Sequence, residues 1–268
     1  MISISELYIY PVKSLAGIQL TESKLTPFGF EHDRRWMIVD SDGKFITQRE
    51  MAKMACIKTN IINDHLVLTH DDSEIKVPIV DSQSKQLKVT VWKDSFDAKH
   101  VSQVVDDWLT EILAKKCQLV YMQEDVKRQI DLDFAPSGHN VSFADAFPIL
   151  VISQASLDDL NSRLDNHVDI NRFRANMIVS GVSPFAEDDW ASISINGIGY
   201  QAIKKCSRCI MPSINQETGR QDNVKMLAVL NGYRRIDNKI KFGQNLIYKN
   251  IETINLQSIS CGDEIILK

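Results

Sequence analysis

The chain has 268 residues, 44% of them hydrophobic and 25% charged, which is the make-up of a globular protein with one large domain or two ordinary ones. A formal net charge of -4 excludes a general electrostatic pull toward nucleic acid or an anionic membrane, so any anion site must be a local gathering of cations. The first residues lack a cationic segment followed by an apolar one, and no run approaches the roughly 18 apolar residues of a spanning helix, so the expected location is the cytoplasm. The cysteines, Cys56, Cys117, Cys206, Cys209 and Cys261, are odd in number and dispersed. Reduced thiols are expected, three of them as buried packing residues.

In chain order, short strands are predicted at residues 7–12, 35–40, 60–69 and 87–92, parted by turn-rich pieces such as Asp40-Ser41-Asp42-Gly43. That spacing favours a barrel or sandwich over a repeating strand–helix unit. Over residues 102–116, Val104, Val105, Trp108, Leu109, Ile112 and Leu113 gather on one side of a 3.6-residue period, which predicts an amphipathic helix. A polar stretch follows Tyr121, and the expected domain boundary lies near residue 122, dividing the chain into 1–122 and 123–268. Residues 149–153 read as a buried strand leading to a helix at 156–164, with Leu157, Leu160 and Leu164 along it and Ser156 with Asp159 as a capping box. Strand composition returns at 177–180, 191–195, 200–204, 240–248 and 264–267. The expected fold is mainly β (α+β), with two β-barrel-like lobes and a few helices.

Cys206 and Cys209 form a single Cys-x-x-Cys run with no second pair, which is weak evidence for zinc, since structural zinc wants four protein ligands. A thioredoxin-like dithiol opens a helix, whereas strand-like sequence precedes this pair and Met211-Pro212-Ser213 follows it. Lys204, Lys205 and Arg208 would favour a thiolate at either sulfur, as a soft-metal ligand or a nucleophile requires. Two inert thiols beside solvated cations are an equal reading of this segment alone. Other cationic runs lie far away in sequence: Pro11-Val12-Lys13-Ser14, Asp33-Arg34-Arg35-Trp36, Thr47-Gln48-Arg49-Glu50 and Asn171-Arg172-Phe173-Arg174-Ala175-Asn176. Convergence of three or four would build an anion pocket, whereas singly each is a surface ion pair of little worth. No Rossmann glycine pattern, P-loop or HExxH run is present.

Taken together, these segments resemble a known family. Tyr10-Pro11-Val12-Lys13-Ser14, the stretch from Gly29 to Asp40 and that from Phe45 to Glu50 resemble the N-terminal β-barrel domain that precedes MOSC domains. Phe143-Ala144-Asp145-Ala146-Phe147-Pro148, Arg172-Phe173-Arg174-Ala175-Asn176, Cys206-Ser207-Arg208-Cys209, Glu217-Thr218-Gly219 and Phe242-Gly243-Gln244-Asn245 look like the MOSC domain itself, in order. The likeness is greatest to the amidoxime-reducing component and to bacterial reductases of N-hydroxylated bases.

This resemblance implies a molybdenum cofactor, a molybdopterin with a terminal phosphate, and makes Cys209 both the catalytic cysteine and the metal ligand, a role that suits a soft thiolate. Cofactor contacts carry over to Lys13, Ser14, Arg34, Arg174, Asn176, Ser207 and Arg208, and to Phe147 beside Ala146 through apolar or backbone contact. The implied function is reduction of N-hydroxylated compounds, such as base analogues and amidoximes, at the expense of an external electron donor. No plant-type iron–sulfur cysteine spacing is present, so a separate flavin or iron–sulfur protein is the expected partner, with neither nucleic-acid polymer nor membrane as another. Glu187 and Asp188 are weak candidates for a proton donor. Asn215 and Gln216 stand where relatives often have Asp-Pro, which loosens the inference about substrate. The alternative implied by the same family is a cofactor-binding or sulfur-carrier protein that forms a persulfide on Cys209.

Overall fold

Runs of uninterrupted apolar residues build the centre of the largest sheet. The computed structural model describes residues 1–80, 83–252, 254 and 257–268. Its nine-stranded sheet runs in the order Ile265–Leu267, Ser192–Ile195, Ile198–Ser207, Lys239–Tyr248, Ile149–Ser153, Met177–Ser180, Ser3–Ile9 and Ile18–Leu20, with Arg235–Ile236 paired onto Lys239–Tyr248. Ile149–Ser153 and Met177–Ser180 are parallel neighbours, and burial on both faces accounts for their unbroken Ile-Leu-Val-Ile and Met-Ile-Val sequences. Alternate side chains go to opposite faces. Val151, Met177 and Leu246 enter one core with Ile4, Leu7 and Tyr200, while Ile152, Ile178 and Phe242 enter a second.

Three α-helices occur among the described residues: α1 (Gln103–Leu113), α2 (Gln154–Asn161) and α3 (Val224–Tyr233). Leu157 and Leu160 of α2 and Met226 and Leu230 of α3 cover the second core. Helix α1 packs Val105, Leu109 and Leu113 against Ile38 and Leu119, which belong to a four-stranded sheet of Trp36–Val39, Gln118–Tyr121, Asp94–His100 and Gln86–Val91. On the opposite face of that sheet lie Met37, Val39, Val89 and Val120. Two three-stranded sheets complete the mainly β architecture. Ser3–Ile9 pairs with Met177–Ser180, so the first residues of the chain are strands of a sheet otherwise built from residues 149–267. This pairing carries Lys13 and Ser14 to elements from the far half of the chain.

Several expectations are corrected. Residues 60–69 hold a hairpin, Lys58–Ile62 and His65–His70, because Asn63 and Asp64 both take positive φ (49° and 61°), the backbone that a tight hairpin turn requires. The strand expected at 7–12 spans Ser3–Ile9 and gives way before Pro11. Helix α2 begins earlier than expected, capped by Ser153, whose hydroxyl accepts from the Ser156 amide, and Asp159 pairs with Arg163 rather than completing a capping box. Helix α3 was not anticipated. Among the cysteines outside the Cys-x-x-Cys run, Cys117 is buried, but Cys56 is half-buried and Cys261 exposed. No helix among the described residues is long and apolar enough to cross a membrane.

Candidate functional site

The parallel strands Ile149–Ser153 and Met177–Ser180 point the same way, so the segments leading into them lie at one end of the sheet. Phe147 precedes the first, and Arg174 and Asn176 precede the second. At this end a cleft of about 330 Å³ is lined by Lys13, Ser14, Arg34, Phe147, Arg174, Asn176, Ser207, Arg208 and Cys209 together. The structure thus brings the expected metal ligand and every expected cofactor contact to one place. Thr47, Arg49, Asp145, Arg172, Lys204, Lys205 and Cys206 also line it. Eight of the lining side chains are Lys or Arg (Lys13, Arg34, Arg49, Arg172, Arg174, Lys204, Lys205, Arg208), against the single carboxylate Asp145. An acidic protein has concentrated its cations in a concave surface, where low-dielectric walls strengthen the field.

The floor is built around Tyr10. The guanidinium groups of Arg34 and Arg174 both lie over its ring, at 4.5 Å and 4.2 Å from the centroid, in cation–π contact. The Tyr10 hydroxyl donates to the Ala175 carbonyl (3.2 Å), and burial pushes its pKa up to about 12. Arg34 donates to Asp33 Oδ2 (2.6 Å), Asn176 Oδ1 (3.1 Å) and the Arg174 carbonyl (3.1 Å). Asn176 also donates through Nδ2 to the Tyr8 carbonyl (3.2 Å), so its amide braces Arg34 and the strand rather than presenting a free donor.

Arg174 differs. Its Nη1 donates to the Leu15 carbonyl (2.6 Å), but its Nη2 is buried with no hydrogen-bond partner among the described residues. Burial, and then the charge of Arg34, push its pKa down to about 10. Lys13, 5% exposed, donates to the Phe143 carbonyl (2.7 Å) and to Asp145 Oδ1 (2.5 Å), and burial still lowers its pKa. Burial alone would raise Asp145; the Lys13 ammonium outweighs it and holds this half-exposed carboxyl well below the usual range. Ser14, Arg34 and Arg174 all take left-handed backbone, with φ of 68°, 51° and 53°. Such conformations cost about 1–3 kcal/mol each in non-glycine residues and gather where the surrounding structure enforces them, often at binding sites.

Across the cleft, the strand Ile198–Ser207 runs into the cysteine loop. Arg208 holds that loop: Nε and Nη2 donate to the Phe242 carbonyl (2.9 Å and 2.7 Å) and Nη1 to the Phe173 carbonyl (2.8 Å). The Ser207 hydroxyl accepts from Lys241 Nζ (2.9 Å). Cys209 is exposed, whereas Cys206 is half-buried and packed against the core that contains Phe173 and Phe242. No group of three or more His, Cys, Asp or Glu side chains is placed to hold a metal ion among the described residues. A metal here would take one protein thiolate and complete its coordination with ligands from a bound group.

Glu187 and Asp188 do not line the cleft, which removes them as proton donors to it. Glu187 is buried under α2, where Oε1 accepts from the Ser153 amide (3.1 Å) and the Ser156 hydroxyl (2.8 Å), and Asp188 pairs with Arg234 and Lys205. Gln216 is buried against Gln48, and the Gln48 amide also donates to the Ser14 carbonyl (2.8 Å), so the segment after the cysteines helps fix the left-handed turn at Ser14. Arg49 lines the cleft although the family resemblance assigns it no role there; its guanidinium stacks over Trp92 at 4.6 Å. The signal available was its place in a cationic run, which does not distinguish a cleft from a surface.

Comparison with known proteins identifies the family. Residues 1–116 match the MOSC N-terminal beta barrel domain and residues 138–266 the MOSC domain. The chain is 30% identical to mitochondrial amidoxime reducing component 2 of Rattus norvegicus, over 98% of this chain and 82% of that protein. It is 29% identical to mitochondrial amidoxime reducing component 2 of Bos taurus, over 98% of this chain and 82% of that protein. Molybdenum cofactor sulfurase of Solanum lycopersicum is also 30% identical, over 98% of this chain but 35% of that protein. The chain therefore belongs to the MOSC family, with a MOSC N-terminal domain followed by a MOSC domain.

Proposed function

We propose that this chain is a molybdenum-cofactor-dependent reductase of N-hydroxylated compounds, base analogues and amidoximes among them, that takes electrons from a separate flavin or iron–sulfur protein. The observation that carries this reading is the buried, unpartnered Nη2 of Arg174 in a cationic cleft that also holds an exposed cysteine. A buried donor without a partner costs about 1–3 kcal/mol, a cost removed when an anion accepts from it. Arg34 and Lys13, each paired with one carboxylate, Asp33 and Asp145, would add positive charge toward the same anion.

When bound, the cofactor supplies a redox-active metal centre for the substrate's oxygen. Arg174, Arg34 and Lys13 would hold its phosphate, Phe147 would border its apolar part, and Cys209 would give the metal a thiolate. Arg208 keeps the cysteine loop in shape through carbonyls of the protein itself, and Ser207 is held by Lys241. Asn176 keeps Arg34 oriented. We assign residues 1–122 and 123–268 as the two domains that meet at this cleft, and place the enzyme in the cytoplasm.

Protein from a cofactor-competent host, supplied with an electron-transfer protein, should convert benzamidoxime to benzamidine or reduce a hydroxylaminopurine. Absence of turnover with every donor tried, in a preparation loaded with molybdenum, overturns the proposal. The exposure of Cys209 and the likeness to molybdenum cofactor sulfurase support a second reading, in which Cys209 carries sulfur. Mass spectrometry after incubation with a cysteine desulfurase separates the two: a Cys209 persulfide in protein lacking molybdenum favours the carrier.

A further inference from the structure

A second cavity, of about 620 Å³, adjoins the cationic cleft. The two share Asp145, Ala146, Phe147 and Lys204 as a common wall, so one opens beside the other. Their chemistry differs. The charges around the second cavity are already engaged: Arg128 donates to Asp94 Oδ2 (2.9 Å) and to the carbonyls of Ser142 (2.7 Å) and Ala144 (2.6 Å), and Lys93 faces Asp131 at 3.6 Å. Lys204 lies over the Phe134 ring at 4.3 Å. What the second cavity offers is ring surface from Trp92, Phe134 and Phe147, with Ile130 and Val141 behind. Phe134 and Phe147 meet edge to face at 5.8 Å and 79°, which fixes Phe147 in the partition between the two spaces.

We propose that this second cavity receives the aromatic or heteroaromatic ring of an uncharged N-hydroxylated substrate, with the N-hydroxyl group directed past Phe147 into the cationic cleft. Paired charges and an apolar lining of Phe147, Ile130, Leu132 and Val141 suit a flat neutral molecule better than an anion, and the volume is within the range of about 300–1,000 Å³ that small-molecule sites occupy. The cationic cleft, by contrast, is chemically suited to an anionic cofactor. The inference rests on the reductase reading and adds to it a preference for aromatic substrates.

The test compares benzamidoxime with acetamidoxime on loaded protein, and measures benzamidoxime binding by saturation-transfer NMR. Phe134→Ala should lower kcat/KM for benzamidoxime about tenfold and leave acetamidoxime within about twofold, as loss of one aromatic partner predicts. Should Phe134→Ala fail to fold, Leu132→Trp, at an exposed position on the rim (67% exposed), should give the same selective loss by filling the mouth. Turnover of both substrates that falls equally, or not at all, overturns the assignment while leaving the reductase reading intact. Benzamidoxime binding that Phe134→Ala weakens, in protein without turnover, supports the cavity assignment and contradicts the reductase reading instead.

Discussion

Arg174 and Arg208 line one cleft from opposite sides and use their guanidinium groups in opposite ways. Every guanidinium nitrogen of Arg208 donates to a backbone carbonyl, of Phe242 or Phe173, so its charge shapes the cysteine loop before any ligand arrives. Arg174, stacked on Tyr10 beside Arg34, keeps Nη2 buried and unpartnered, and its pKa is pushed down to about 10. A count of cations therefore overstates the hydrogen-bond donors available to an anion. The floor is poised to bind, and the loop is prebuilt to present Cys209.

The largest effect expected from this contrast is on folding. Arg208→Ala leaves the carbonyls of Phe173 and Phe242 without their donors and should lower the unfolding free energy of cofactor-free protein by about 3 kcal/mol in urea titration. A change below about 0.5 kcal/mol would make Arg208 a ligand contact rather than a brace. Arg174→Lys keeps a charge but loses the planar fork, so cofactor retention through gel filtration should weaken about tenfold, with a stability change of about 1 kcal/mol. Retention equal to wild type would remove Arg174 from the anion site.

The smallest effect expected is in acid. Asp145, held below its ordinary 3.8 chiefly by Lys13, contributes stability that is present above 3.8 and lost as the pH falls through its lower folded-state value. Asp145→Asn should melt lower at neutral pH, where Lys13 loses its partner, and should show a flatter decline below about pH 4. An acid limb as steep as that of wild type would contradict the pairing.

Where local sequence and burial coincide, the fold was legible. Ile149–Ser153 and Met177–Ser180 have the bounds that their unbroken apolar runs imply. In α3, Val224, Met226, Leu227, Val229 and Leu230 are spread around the helix without a narrow stripe, and only Met226 and Leu230 are buried, so periodicity carried no signal. The hairpin turn at Asn63 and Asp64 had a local signal, since Asn and Asp are the residues other than glycine that most readily take left-handed backbone, but the apolar residues on both sides mask it. The site was legible as scattered cationic runs and a cysteine pair, but their meeting at one end of a parallel pair depends on long-range pairing that spacing does not encode. Neither the unpartnered donor of Arg174 nor the second cavity has any sequence signature, since both arise from packing.

The most direct measurement is elemental analysis of wild-type protein, Cys209→Ala and Cys206→Ala purified from the same cofactor-competent host. Exposed Cys209 as the metal ligand predicts that molybdenum is lost in Cys209→Ala and kept in Cys206→Ala, with both variants folded. Equal molybdenum in wild type and Cys209→Ala would contradict the assignment of that thiolate to the metal.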